Sequence, residues 1–289
     1  MSADIELSIV IAASDSQRAI AECLGALQPQ LAGRASEIFI VGASSEAARP
    51  THERFPQITW IPASGEALTP ARWSLGAARA RGRIIAFTIS TCVPDANWVA
   101  EILRAHADRH AAIGGAIESA PGAGLVDWAE CFVRYTPYML PFPAGPGEVP
   151  GDNGSYKRDA LADQMPWIEA HGFWEQAINA NLRRQERSLW QDPRIIVYCK
   201  KPFTLAGFSR QRYEHGRVFG RMRSARSSGP KRLFYLLSSP AIPLVYLARI
   251  TRGVVRKKRH RASFALSLPI TIWFLSCWSA GEFLGLLRG

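Results

Sequence analysis

Short apolar runs alternate with stretches of helical periodicity along the amino-terminal two-thirds of the chain, and few folds accommodate that alternation. Leu7 to Ala12 reads as a strand covered on both faces, since a strand wet on one face would alternate polar and apolar residues. Ser14 or Asp15 then offers a helix cap, and Ile20, Cys23, Leu24, Leu27 and Leu31 follow at helical spacing. Ile38 to Val41 begins about thirty residues after the first run, the length of a strand-helix-strand crossover. Ile58 to Ile61 reads as a third strand. Thr69 and Pro70 form a cap and first-turn proline for a helix through Ala80, and Gly82 ends it before the strand Ile84 to Thr88. The order predicts an α/β fold with an open, mostly parallel sheet flanked by helices.

Pro94, Asp95 and Asn97 start another helix, carrying Trp98 and Ile102, and Ala111 to Ile117 reads as a further strand. Prolines and glycines crowd between Pro137 and Gly154, which predicts a loop or crossing point. Asn153 to Tyr156 reads as a compact polar turn before a short helix from Arg158. A helix from about Trp174 to Gln185 and a strand from Ile195 to Cys199 complete the domain.

With 289 residues and 47% hydrophobic composition, the chain can bury one large core and a smaller appendage. A net charge of +11 would ordinarily point to nucleic acid. Its distribution argues otherwise: residues 1–209 hold 19 Lys or Arg against 22 Asp or Glu, whereas residues 210–261 hold 15 against Glu214 alone. A local basic region interleaved with apolar side chains fits a membrane surface, with no nucleic acid as partner. Cys23, Cys92, Cys131, Cys199 and Cys277 are odd in number and unpaired in spacing, which argues against a disulfide framework or zinc site and for a reducing compartment. The first apolar run follows Asp4 and Glu6 and lacks the basic start of a signal peptide, so the α/β domain is expected in the cytoplasm.

Six segments, in order, resemble family 2 glycosyltransferases of the GT-A fold (Rossmann-like). They are Leu7 to Ile11; Ala71-Arg72-Trp73 through Gly82; Cys92-Val93-Pro94-Asp95 with Trp98; Asn153-Gly154-Ser155-Tyr156-Lys157-Arg158; Gly172-Phe173-Trp174-Glu175; and Asp192-Pro193-Arg194. The resemblance covers roughly residues 7–220 and implies an inverting transferase whose donor lies at the carboxyl ends of the parallel strands. By that likeness Glu175 is the catalytic base. Ala12, Ser14, Gly42, Arg72, Thr91 and Asn153 border the donor, and Trp174 and Tyr156 the acceptor. The acidic residue that contacts the base in the family falls at Gly42, and the Asp-X-Asp pair that holds a divalent ion falls within Thr88 to Cys92, so neither site keeps a carboxylate. Magnesium or manganese therefore loses its usual ligands. Arg72, Arg79 or Arg81 can supply positive charge instead, and Asp95 is either a substitute ligand or a helix-start residue.

Residues 1–208 are thus expected as the glycosyltransferase-like domain and residues 209–289 as a basic, membrane-associated helical region. Leu205 to Arg223 has the composition of a helix lying on an anionic surface. Leu233 to Ile250 is interrupted by Pro240 and Pro243 and bracketed by basic clusters, which predicts an interfacial or re-entrant segment. Phe264 to Leu287 is long enough to span, yet carries Pro269 and Glu282. Two functions follow. One is sugar transfer from a nucleotide-sugar donor to a lipid-linked or cell-envelope acceptor at the cytoplasmic membrane face, alone or with other envelope-biosynthesis proteins. The other is a non-catalytic scaffold or partner subunit that has lost metal and donor binding.

Overall fold

The computed structural model describes residues 4–13, 16–43, 51, 53–200, 204–225 and 227–288. Two compact units form, one from Met1–Glu118 with Leu140–Lys200, the other from Ser119–Met139 with Lys201–Gly289. The segment Ser119–Met139, expected inside the α/β domain, thus groups with the carboxyl-terminal helices.

Among the described residues, one sheet carries nine strands. β1 (Leu7–Ala12), β2 (Ser36–Gly42), β3 (Ile58–Pro62) and β4 (Ile84–Ile89) are parallel. β1 lies between β2 and β4, and all six of its residues are buried, which is why its sequence barely alternates. α1 (Gln17–Leu31) crosses between β1 and β2 and buries Ile20, Cys23, Leu24 and Leu27. Its cap is Ser16, whose hydroxyl accepts from the Ala19 amide; Ser14 and Asp15, read as caps, lie outside the described residues. α2 (Thr69–Ala77) has Thr69 inside its first turn, with Leu68 at the cap position, and ends three residues before Ala80.

The second half of the sheet is antiparallel. β5 (Cys92–Pro94), β6 (Ala112–Ser119), β7 (Gly145–Pro146), β8 (Asn153–Lys157) and β9 (Leu189–Cys199) make it up, with α3 (Trp98–Ala105) after β5 and the one-turn α5 (Arg158–Leu161) after β8; the strand order is β3-β2-β1-β4-β8-β6-β9-β5, with β7 paired to β9. This corrects the reading of Asn153 to Tyr156 as a polar turn. An Asn-Gly pair usually marks a turn because both tolerate unusual backbone angles. Here Gly154 is required for space: a Cβ there would stand 2.8 Å from Val149 Cγ1. Asn153 turns inward and replaces a solvent turn with three buried hydrogen bonds, described below.

In the second unit, Ala129 of α4 (Leu125–Tyr135) clusters with Phe208 of α8 (Leu205–Ala225) and Phe274 of α11 (Arg261–Arg288). Between those last two run α9 (Gly229–Ser238) and α10 (Ile242–Lys257), joined by a 3₁₀ turn at Ser239–Ala241. The segments Gly229–Lys257 and Arg261–Arg288 are both long and apolar enough to cross a membrane.

Candidate active site

The site begins with a glycine. Gly172 ends α6 (Met165–His171) at φ +93°, and a Cβ there would stand 3.1 Å from the Pro70 carbonyl carbon, so only glycine lets the chain lie against the start of α2. The Phe173 amide then donates to Pro70 O at 2.8 Å. Phe173 is fully buried, stacked on Phe87 of β4 at 4.2 Å between centroids. The next residues are thereby fixed: Trp174, partly exposed, donates from Nε1 to His171 O at 2.9 Å, and Glu175 opens α7 (Glu175–Arg184) with its carboxylate partly exposed. An acidic residue in a helix's first turn is favoured by the positive end of the helix dipole.

Glu175 does not stand alone. A Cβ on Gly151 would lie 3.4 Å from Glu175 Oε2 and 2.5 Å from Trp73 Cζ3, so the bare glycine backbone lets indole and carboxylate close around it. Trp73, one residue after Arg72 on α2, donates from Nε1 to Thr88 O at 2.8 Å and so ties this corner to the end of β4. Asp152 follows Gly151; it is buried, and its backbone oxygen accepts from the Thr88 hydroxyl at 3.0 Å. Because Asn153 is in register with Thr88, Asp152 stands one step further, across from Ile89. Trp73, Gly151 and Asp152 were not singled out from the sequence. The proline- and glycine-rich stretch before Asn153 gave no periodicity from which its place at the sheet's rim could be read.

The carboxyl ends of β1, β2 and β4 form that rim. The Ser90 amide donates to Ala12 O at 3.1 Å and the Ala13 amide to Val41 O at 2.8 Å; Ala12 and Gly42 end the neighbouring strands β1 and β2, and Thr91 lies in the turn just past the end of β4. Arg72 reaches from α2 to donate to Ala13 O, and to Gly65 O at 3.1 Å, which fixes its guanidinium at the end of β1. Gly42 is tightly packed: a Cβ would stand 3.0 Å from Ala13 Cβ and 3.2 Å from Trp60 Cζ2, so a side chain there needs these neighbours to give way by a few tenths of an ångström. Ile89 and Thr91 are buried, and the Thr91 hydroxyl has no hydrogen-bond partner. Ser14 lies outside the described residues.

Several expected residues belong elsewhere. Asn153, expected at the donor, is buried; its Oδ1 accepts from Trp98 Nε1 at 2.8 Å and its Nδ2 donates to Ala116 O and Ile195 O at 2.8 and 3.0 Å. Tyr156, expected at the acceptor, is wholly buried between Phe87 and Phe173 and donates to Asn179 Oδ1 at 3.0 Å. Both point into the core because they lie on a central strand. Arg81 pairs with Glu37 at 3.1 Å near the start of β2, the far end of the strand from the rim, and Arg79 donates to Leu75 O on its own helix. Asp95 accepts from the Asn97 amide at 3.2 Å, a helix-start bond. The Asp-Pro-Arg segment is structural: burial pushes the Asp192 carboxyl upward, but bonds from Arg194 and Arg104 outweigh it and hold it below the usual range.

Among the described residues, no three His, Cys, Asp or Glu side chains stand together as a metal ion requires. A hard divalent ion beside phosphate needs anionic oxygen, and Ile89 and Thr91 offer an alkyl chain and a neutral hydroxyl, so this donor set does not fit one.

The fold has a counterpart among solved structures. Mannosyltransferase PcManGT from Pyrobaculum calidifontis, solved in complex with GDP-Man and Mn2+, is similar over 96% of this chain and 86% of that one, with a TM-score of 0.59 and 14% sequence identity. The chain has the GT-A glycosyltransferase fold. A mycobacterial protein (TM-score 0.49, 14% identity, 74% of each chain) and residues 1–349 of S. aureus TarS (TM-score 0.47, 12% identity, 96% of this chain and 90% of that one) are more distant. No protein-family model matches the sequence, and no curated protein does. Within a GT-A fold, a carboxylate on a helix start beside the strand ends can accept a proton from a hydroxyl, and a guanidinium at those ends can face a phosphate.

Proposed function

We propose that the chain is an inverting glycosyltransferase that moves a sugar from a nucleotide-sugar donor to a lipid-linked or cell-envelope acceptor at the cytoplasmic membrane face. The observation that carries this reading is the corner formed by Glu175, Gly151 and Trp73, which Trp73 ties to Thr88 at the end of β4, next to Ile89. Glu175 takes the proton of the acceptor hydroxyl as its oxygen attacks the anomeric carbon. The bond from that carbon to the diphosphate breaks, and the nucleoside diphosphate leaves with its negative charge. Arg72, clamped by two backbone carbonyls, supplies positive charge where that anion forms, and Trp174 borders the acceptor. No step passes through a divalent ion. GDP-mannose is the first donor to try, being bound by the mannosyltransferase of the same fold.

Membrane attachment is part of the proposal. Exposed basic residues such as Lys231, Arg249, Arg252 and Arg256 each contribute about 1 kcal/mol near an anionic surface, and the apolar segment between them buries into it.

The test is Glu175→Gln in the full chain. Turnover should fall by about 10² to 10⁴ while donor affinity by calorimetry, with and without manganese, is retained. Gly42, Ile89 and Thr91 favour the second reading, a scaffold that keeps the fold without donor chemistry. That reading is chosen if no GDP-, UDP- or TDP-sugar binds and Glu175→Gln still complements a deletion in cells.

A further inference from the structure

The second unit buries nearly half of the apolar window of its longest helix, on which Leu266 and Trp273 stay exposed, but little of that in its shorter ones. α11 has 28 residues, enough for a span. Its carboxyl-terminal half, however, is covered along one flank by α8. Gly216 and Gly220 of α8 meet the Trp278 and Glu282 carbonyls, and Gly281 and Gly285 of α11 meet the Tyr213 and Arg217 carbonyls, each so closely that no Cβ fits. The helices therefore touch backbone to backbone. α8 carries Arg210, Arg212, Arg217, Arg221 and Arg223. Arg223 pairs with the buried Glu282, which also accepts from Trp278 Nε1 at 3.2 Å, and the Arg212 guanidinium stacks 5.2 Å from the Trp278 ring. If α11 crossed a bilayer, this arginine-rich helix would enter the hydrocarbon with it, and arginine is among the costliest side chains to place there.

The segment α9 to α10 has the opposite character. α9 buries none of its residues; Leu233, Phe234 and Leu237 are 57%, 66% and 75% exposed, and Leu244 on α10 is 70% exposed. The apolar stretch from Leu233 to Ala248 is sixteen residues, broken by the 3₁₀ turn at Ser239–Ala241. At 1.5 Å per residue this uncharged part reaches about 24 Å, less than the roughly 30 Å hydrocarbon layer, so Gly229–Lys257, though long enough to cross, would draw its flanking basic residues into the hydrocarbon. Exposed Lys231 precedes it and exposed Arg249, Arg252 and Arg256 follow, so both ends favour the same anionic side, while Arg232 is held by the Leu286 and Leu287 carbonyls of α11.

We infer that the second unit is a monotopic anchor: the exposed ridge from Leu233 to Tyr246 dips into one leaflet of an anionic bilayer, its basic ends meet phosphate headgroups of that leaflet, and α11 stays within the protein as the ridge's support. This rests on the membrane attachment proposed above and adds the number of crossings, none, and the face that inserts. Charge complementarity selects the occupant, since no acidic residue lies between Lys231 and Arg261.

The experiment uses the full chain with a peptide tag at each end. In sealed inverted membrane vesicles, protease should remove both tags together. On liposomes of phosphatidylcholine and phosphatidylglycerol in equal parts, Leu233→Asp with Leu237→Asp should lower the partition coefficient by about 100-fold, while the solvent-facing positions leave the fold undisturbed. A protected carboxyl-terminal tag overturns the monotopic arrangement and leaves attachment standing. Unchanged partition of the double variant overturns the assignment of the ridge. If the unaltered chain does not bind these liposomes, or dimerises through the ridge without binding them, both the inference and the attachment reading fall.

Discussion

Replacing Asn153 by alanine separates a structural role from a donor-binding one. The amide makes three hydrogen bonds in a dry interior, one accepted from the Trp98 indole and two donated to the Ala116 and Ile195 carbonyls on strands β6 and β9. Alanine removes all three at once. The stranded indole N–H costs about 1–3 kcal/mol, and each carbonyl, which keeps a second lone pair for other partners, about 1 kcal/mol, so a loss of about 3–5 kcal/mol is expected. Urea unfolding of the full chain in mild detergent, followed by tryptophan emission, measures it. Trp98 loses its only side-chain acceptor in the variant, so its emission should shift even before unfolding. Donor affinity of the fraction that remains folded should match that of the unaltered chain. A stability change below about 1 kcal/mol together with abolished donor binding would refute the reasoning and return Asn153 to the donor site.

Gly151→Ala should push the new methyl into the Trp73 ring and toward Glu175, lowering turnover by about tenfold and stability by about 1–3 kcal/mol; steady-state kinetics and thermal unfolding check it. The pH dependence of stability should carry the mark of His106. Burial, with the charge of Lys157 second, pushes its imidazole down to about 3, against 6.5 in the unfolded chain. Above about 6.5 both states are neutral and its contribution is complete; as pH falls toward 3 only the unfolded chain takes up the proton, so stability declines. By pH 5 the decline is about 2 kcal/mol, and His106→Gln, which keeps a partner for Ser155, should remove that slope in urea titrations. Manganese omission should change turnover by less than about twofold, since the donor set at Ile89 and Thr91 cannot hold the ion; a strict requirement in dialysed enzyme would contradict this.

The parallel half of the sheet was legible because its strands are buried on both faces and separated by amphipathic helices, a pattern that survives in one dimension. The antiparallel half was not. β8 is made of Asn153, Gly154, Ser155, Tyr156 and Lys157, residues that favour turns when exposed, and only their burial between β4 and β6 makes them a strand. That error also misdirected Asn153 and Tyr156 to the ligand side. The segment Gly172 to Glu175 was legible as a unit because its glycine has a backbone angle that few other residues adopt, so local sequence carried the backbone geometry there. Arg72 was legible for its charge but not for its anchoring, which depends on carbonyls seven and fifty-nine residues away. The helix Leu205 to Arg223 has the composition expected of a surface helix. Yet its buried stripe of Phe208, Arg212, Gly216, Gly220 and Ser224 is shaped for another helix, which an apolar count does not detect.

The crowding at Gly42 bears on how this chain can change. An aspartate introduced there would meet Ala13 and the indole of Trp60 before it reached any nucleobase. Regaining the lost acidic contact therefore asks Ala13 or the Trp60 ring on β3 to give way by a few tenths of an ångström, so packing and donor chemistry are coupled at this one position.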